Sequence, residues 1–239
     1  MKQRLDQVLV SLGLVATRSQ GESYIKLGHI KVNGRIVNKP GNLVSETDLV
    51  TISSVEQYVS RAALKLASVS KALKLDFKNK IVLDVGSSTG GFTDYALKHG
   101  AKKVIAVEVG TDQLHPSLRG NPQIELHEKT DIRDFKTDQN IDIVIADVSF
   151  ISLRNILPSI AKLCTMQTQI TVMVKPQFEA YQSSHKHKGV IKNDSIRRDI
   201  LKEFEAWIHG GFVTINKADS EIAGAKGNKE RFYLLKKKI

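Results

Sequence analysis

Fifteen residues near the middle of the chain, Lys80 to Asp94 (K-I-V-L-D-V-G-S-S-T-G-G-F-T-D), constrain the fold more than any other stretch. Ile81-Val82-Leu83 is a short, β-branched-rich run, the pattern of a strand buried on both faces of a parallel sheet. Asp84 is expected to end that strand. Gly86 then allows a tight turn, and Gly90 and Gly91 permit close approach to the first turn of a helix opened by Phe92-Thr93-Asp94. About twenty residues on, Val104-Ile105-Ala106-Val107 reads as a second strand ending in Glu108, whose carboxylate suits the two hydroxyls of a ribose.

A glycine-rich strand-turn-helix serves both dinucleotide and S-adenosylmethionine (SAM) folds. Two details favour SAM. The spacing is D-x-G-x-x-x-G rather than G-x-G-x-x-G. Asp84 also puts a carboxylate where a pyrophosphate would be repelled and a cationic methionine amine accepted.

The alternation continues downstream. Residues 124–127 suit a third strand, 141–145 a fourth ending at Asp147, and 169–174 a fifth ending at Lys175-Pro176. Helices are expected at 153–163 and 194–209, and late strands at 212–215 and 232–235. This order predicts an α/β, doubly wound, Rossmann-like sheet with ligands at the carboxyl ends of its strands. Asp84, Glu108, Asp147 and Lys175 all fall at such ends.

Ahead of it lies a smaller unit. Leu5, Val8, Leu9 and Leu12 have helical spacing, and Thr17 is a plausible cap for a second helix ending at Gly28. Residues 29–32 and 35–37 flank an Asn33-Gly34 hairpin turn, and 48–52 gives one more strand. So small an α+β module has a marginal core of its own and is expected to lean on a partner or on RNA. Residues 54–59 read as a linker. Ser60 is the expected cap of a helix whose core face is Ala62, Leu66, Val69 and Leu73, with Lys65 at its edge.

Net charge narrows the partners. A formal +11 and a pI near 9.6 suit a polyanion, nucleic acid or an acidic membrane surface. Residues 1–59 hold seven Lys/Arg against five Asp/Glu, so most of the excess lies further on. One cysteine, Cys164, excludes an internal disulfide framework and a cysteine-based zinc site. His185 and His187 lie in a lysine-rich loop with no third ligand evident, so no metal is expected. With no apolar run of membrane-span length and no signal-peptide core after Met1, the expected location is the cytoplasm.

Lys65, Asp147, Lys175 and Glu230 are candidates for a single site. Methyl transfer to a hydroxyl needs the acceptor aligned and its proton eventually lost. A lysine serves as base only if its pKa falls well below about 10.4. No metal is required, because positioning supplies much of the rate.

Two resemblances add to this reading. Residues 2–53 resemble the RNA-binding domain first named for small-subunit ribosomal protein four, through Arg4-Leu5-Asp6, Gly13-Leu14, Thr17-Arg18, Ile25, Gly28, Lys31-Val32-Asn33-Gly34 and Lys39-Pro40. It implies phosphate contacts by Arg4, Arg18, Lys26 and Lys31. The remainder resembles the TlyA family, whose catalytic domain is similar to FtsJ-type ribose methyltransferases. The motifs are Y-V-S-R-A-A-L-K-L (58–66), D-V-G-S-S-T-G-G-F-T-D (84–94), V-E-V-G-T-D-Q-L (107–114), D-V-S-F-I-S-L (147–153), V-K-P-Q-F-E (174–179), K-G-V-I-K-N-D (188–194) and G-N-K-E (227–230).

That resemblance implies SAM-dependent methylation of the 2′-hydroxyl of cytidine in ribosomal RNA. Its lysine-aspartate-lysine-glutamate tetrad falls on Lys65, Asp147, Lys175 and Glu230. Its SAM contacts fall on Asp84, Gly86, Thr89, Gly90, Phe92, Glu108, Asp131 and Asp147. Two departures stand out. Ala62-Ala63 replaces the family's usual glycines, and Gly224-Ala225-Lys226-Gly227-Asn228 lacks its usual proline. The rival functions are an RNA-binding assembly factor without catalysis and, from the haemolysin label borne by some family members, a membrane-active toxin. The expected domains are 1–54, a linker at 55–59, and 60–239.

Overall fold

A computed structural model describes residues 2–15, 17–53, 58–185, 189–224 and 227–238. Most of the expected linker and part of the His185 loop therefore lie outside the described residues.

The N-terminal module comprises β1 (Gln3–Arg4), α1 (Leu5–Ser11), α2 (Arg18–Lys26), β2 (Ile30–Val32), β3 (Arg35–Ile36), β4 (Leu43–Val44) and β5 (Val50–Ile52). Thr17 caps α2 as expected, its hydroxyl accepting from Gln20 N at 3.2 Å. Asn33 and Gly34 both take positive φ, 51° and 78°, as a two-residue hairpin turn requires. β3, β2 and β5 form one antiparallel sheet, and β1 pairs with β4 in a second. Leu12 is exposed rather than on the core face of α1.

The larger unit begins with α3 (Arg61–Leu73), followed by β6 (Ile81–Val85), α4 (Gly91–Lys98), β7 (Lys103–Val107), β8 (Ile124–His127) and β9 (Ile143–Ala146). Then come α5 (Leu157–Leu163), β10 (Gln169–Val174), α6 (Pro176–Glu179), α7 (Asp194–Ile208), β11 (Phe212–Asp219) and β12 (Arg231–Lys237). The seven-stranded sheet has the order β11-β12-β10-β9-β6-β7-β8. β8, β7, β6, β9 and β10 are mutually parallel, and β12 runs against both its neighbours. The chain steps outward from β6 to β7 and β8, then crosses to β9, so the strand order reverses beside β6.

Alternation along each strand divides the core. Val82, Val104, Ile143, Ile145 and Met173 face α3 and α4, while Leu83, Ile105, Val144, Val172 and Tyr233 face α5 and α7. The first of these clusters continues into the N-terminal module through Tyr24, Ile25, Leu5 and Leu9. The marginal core anticipated for that module is therefore completed by the larger unit.

Three local expectations are corrected. Asp84 lies inside β6 rather than ending it. Ser60 occupies the cap position of α3 but its hydroxyl caps nothing, while Ala62 packs half-buried against the core beside the fully buried Ala63. The helix expected over 153–163 is broken into a 3-10 turn, Leu153–Asn155, and α5, because Pro158 opens α5 where no N–H is needed.

Candidate active site

A parallel sheet turns its strand ends to one edge, and that edge gathers the charged residues. Lys175, directly after β10, places Nζ 2.5 Å from Oδ1 of Asp147, directly after β9. The same Nζ donates to Ser149 Oγ at 2.8 Å and lies 5.9 Å from the centre of the Phe178 ring. Lys65 on α3 places Nζ 2.5 Å from Oε2 of Glu230, the residue before β12. The Glu230 carboxylate also senses the charges of Asp147 and Lys175, so the two pairs are neighbours. Lys65, Lys175 and Glu230 are only 9%, 8% and 2% exposed, so neither lysine is a snorkelling surface chain. Burial pushes the Glu230 carboxyl above its ordinary value, and the Lys65 ammonium pulls it back.

Backbone without side chains makes room for this arrangement. A Cβ on Gly224 would lie 2.8 Å from Glu230 Oε1, and one on Gly86, where φ is +77°, would lie 2.9 Å from the Asp147 carbonyl oxygen. A Cβ on Gly91 would meet that of Ala62 at 2.9 Å, so α3 packs directly on the start of α4.

Beside the pairs, at the reversal of strand order, opens a cavity of about 430 Å³. Gly86, Glu108, Asp131 and Asp147 line it, with apolar walls from Val109, Ile132, Val148 and Ile151. Glu108 is held by backbone amides, Ser88 N donating to Oε2 at 2.9 Å and Gly110 N to Oε1 at 2.8 Å. Each of its oxygens keeps a second lone pair for a ligand. Asp131 pairs with Arg133 at 2.6 Å, whose hydrogen bonds hold its carboxyl below the usual range.

Asp84 faces α4 beneath the cavity and does not line it. Thr93 donates to its Oδ2 at 2.6 Å, while the buried Oδ1 has no hydrogen-bond partner. Burial pushes this carboxyl up to about 7, and the charges of Asp147 and Glu108 act in the same direction.

This fold and site have counterparts. The FtsJ-like methyltransferase family matches residues 58–238, and the S4 domain matches residues 3–50. The chain belongs to the TlyA branch of the FtsJ-like methyltransferases. Hemolysin A of Brachyspira hyodysenteriae is 38% identical over 95% of this chain and 97% of its own length. The 16S/23S rRNA (cytidine-2′-O)-methyltransferase TlyA of Mycobacterium tuberculosis is 34% identical over 98% of this chain and 89% of its own. A solved structure of a hemolysin-named protein from Streptococcus thermophilus superposes with a TM-score of 0.71 at 34% identity, covering 99% of this chain and 88% of that one.

Placed on this FtsJ-like frame, the expected site residues separate into groups. Lys65, Asp147, Lys175 and Glu230 converge. Gly86, Glu108, Asp131 and Asp147 line the cavity. Thr89, Gly90 and Phe92 do not line it. Thr89 is exposed, its carbonyl accepting from His115 N at 3.2 Å. Gly90 turns the chain into α4 with φ +86°, and Phe92 packs in the core 6.0 Å from the Phe232 ring. In the N-terminal module Lys26 and Lys31 are exposed. Arg4 and Arg18 both grip the buried Asp6, at 2.8 and 2.9 Å, and remain about half exposed.

Two residues in the site were missed. Ser149 is the second hydrogen-bond partner of Lys175, and Phe150 is 92% exposed with φ +66°, its ring tilted against that of Phe178 with centroids 5.3 Å apart. Their only sequence signal is the aromatic residue in the loop D-V-S-F, since a strained φ is not written in residue type. Among the described residues no three His, Cys, Asp or Glu converge as a metal site would, and no helix is long and apolar enough to cross a membrane. His185 lies 3.4 Å from Asp199, and His187 lies outside the described residues.

Proposed function

We propose that this protein is a SAM-dependent methyltransferase acting on the 2′-hydroxyl of cytidine in ribosomal RNA, in the cytoplasm. The observation that carries the reading is the Lys175 ammonium, held by Asp147 and Ser149 at the rim of the cavity. Ser149 Oγ is itself a hydroxyl 2.8 Å from Nζ, the contact a ribose hydroxyl would make in its place. The relatives whose names specify cytidine-2′-O methylation favour the same acceptor.

The residues present fit SAM. The orphaned, buried Asp84 Oδ1 and the neighbouring Asp147 and Glu108 make the strand ends electronegative, which favours a sulfonium and an ammonium. Glu108 would hold the ribose hydroxyls, and Ile132 and Val148 would sandwich an apolar ring. Gly86, bare of side chain, would admit the ligand close to the backbone. Thr89, Gly90 and Phe92 would act by shaping the turn and the start of α4. When bound, SAM supplies a methyl group carried on a sulfonium.

Once it has given up its own proton, the Lys175 amine would orient the 2′-oxygen toward the cavity and accept that oxygen's proton, with Asp147 holding the nitrogen in place. Lys65 and Glu230 set the charge around that pair and wall it from solvent. The exposed Phe150 ring offers a stacking surface for a base turned out of its helix. Arg4, Arg18, Lys26 and Lys31 seat structured RNA on residues 1–54, joined through 55–59 to the catalytic unit at 60–239.

The test is to incubate the protein with labelled SAM and each ribosomal subunit or its naked RNA, then locate modified nucleotides by mass spectrometry. Label on a cytidine ribose is the expected result. Label confined to a base, or absent from every RNA while SAM binds, would refute this assignment.

A further inference from the structure

We infer that Arg61 is a positioning residue that couples seating of the N-terminal module on RNA to the Lys65–Glu230 pair. This rests on the RNA methyltransferase reading above, but its structural basis is independent. Arg61 opens α3, and its guanidinium is spread between two parts of the molecule. Nη1 donates to Ser19 Oγ at 2.6 Å and Nε to Ser23 Oγ at 3.2 Å, both on α2 of the module. Nη2 donates to the Ala223 carbonyl at 3.0 Å, in the segment ahead of β12. Ser19 and Ser23 are one helical turn apart and share a face, so a planar fork meets both.

The third contact reaches the site. Ala223 precedes Gly224, the residue whose missing side chain leaves room for Glu230 Oε1. Arg61 itself stands one turn before Lys65 on the same face of α3. One side chain therefore touches the module directly and lies within a residue or a turn of the supports of both partners in the buried pair. Two more bonds fix the entry to α3. Gln20 Nε2 donates to the Tyr58 carbonyl at 3.1 Å, and Val59 N donates to Asp94 Oδ2 at 2.9 Å. A shift of α2 on docking is thus transmitted to the segment 220–224 and to α3 together.

The competing role for an arginine here is a direct phosphate contact, and chemistry separates the two. Lysine preserves a charge for a phosphate, but its single nitrogen cannot span two serines and a carbonyl. Two proteins test the coupling, Arg61→Lys and the double variant Ser19→Ala/Ser23→Ala, which removes the module's side of the bridge and no charge. Single-turnover methyl transfer is measured at saturating RNA and SAM, beside RNA affinity, its salt dependence, and hydrogen exchange over residues 220–224.

Both variants should lose about tenfold or more in single-turnover rate, because small misplacements of reacting groups are costly. RNA affinity should stay within about twofold with an unchanged salt slope, and exchange at 220–224 should accelerate. A wild-type rate in Arg61→Lys overturns the coupling. So does a loss confined to RNA affinity with a shallower salt slope, which marks a phosphate contact. If the wild type methylates no RNA, the activity assignment fails while the bridge is still decided by exchange. Unchanged exchange in both variants would then overturn it.

Discussion

Lys175 and Asp84 show how differently two charged groups at one sheet edge are used. Lys175 follows an apolar strand and precedes Pro176, so its backbone is fixed, and its amine is aimed by Asp147 and Ser149. Lys175→Ala and Lys175→Arg should each lower single-turnover transfer by about 10³-fold, since a guanidinium keeps the charge but cannot take a proton. SAM and RNA binding should change little. Substantial activity in Lys175→Arg would leave this residue an orienting role and exclude an essential base. Asp84 instead carries a buried carboxyl whose pKa is near 7, above the unfolded value of about 3.9. Such a group binds its proton more tightly in the fold, so the stability it confers is complete below about pH 4 and lost as pH rises through 7. Asp84→Asn, which retains an acceptor for Thr93, should therefore gain in melting temperature relative to wild type progressively between pH 4 and 7, then hold level. It should weaken SAM binding at pH 8, where the wild-type carboxylate is charged. Melting curves and calorimetry check both. A pH-independent stability difference would show that Asp84 is not the titrating group.

At the scale of elements, α3 carries more of the site than its sequence suggests. Lys65 sits in R-A-A-L-K-L, where a lysine beside an apolar stripe ordinarily lies at the surface, and nothing local pairs it with Glu230, 165 residues away. Its burial is visible only once α3 rests on Gly91 and β12 returns antiparallel beside β10. Gly91→Ala would drive a methyl group into Ser60 Oγ, the Ala62 methyl and the Ala63 amide, the last two at 2.9 and 3.1 Å, and push α3 outward. It should destabilise the protein by roughly 1–3 kcal/mol and lower transfer more than SAM affinity, because Lys65 moves with the helix. Equal losses in both would place the damage in the glycine turn instead. The central strands, by contrast, were legible as uninterrupted apolar runs, and so was their common edge, because Asp147 and Lys175 each follow one directly. β1 and β4 were not, since two residues each carry no period. Nor was the outer half of β11, whose Asn216–Asp219 stretch is polar, lies at the sheet edge and follows a bulge. Glu108 and Asp147 in the cavity's lining followed from spacing and Asp131 from the family resemblance, but the inward turn of Asp84 toward α4 depended on its place within β6, one residue short of the strand's end.

The whole molecule is stabilised and charged in a way that divides its labour unevenly. The N-terminal module shares its core with α3 and α4, through Leu5, Leu9, Tyr24 and Ile25. Removing residues 1–54 therefore exposes apolar surface on the remainder, and a lower melting temperature is expected alongside any loss of docking. The cavity and both ion pairs lie beyond residue 60, so SAM affinity should largely survive the deletion. Methyl transfer to the ribosomal substrate should be abolished. RNA binding should not vanish, because most of the excess positive charge lies outside the first 59 residues. The slope of log affinity against log salt should become shallower by about 0.9 for each duplex phosphate that Arg4, Arg18, Lys26 and Lys31 no longer neutralise, and still stay well below zero. Titrations of full-length and shortened protein at several salt concentrations measure this directly. If the shortened protein binds RNA without salt dependence, the catalytic unit's charge serves something other than phosphate. If it methylates as fast as the full chain, the module is not the docking element.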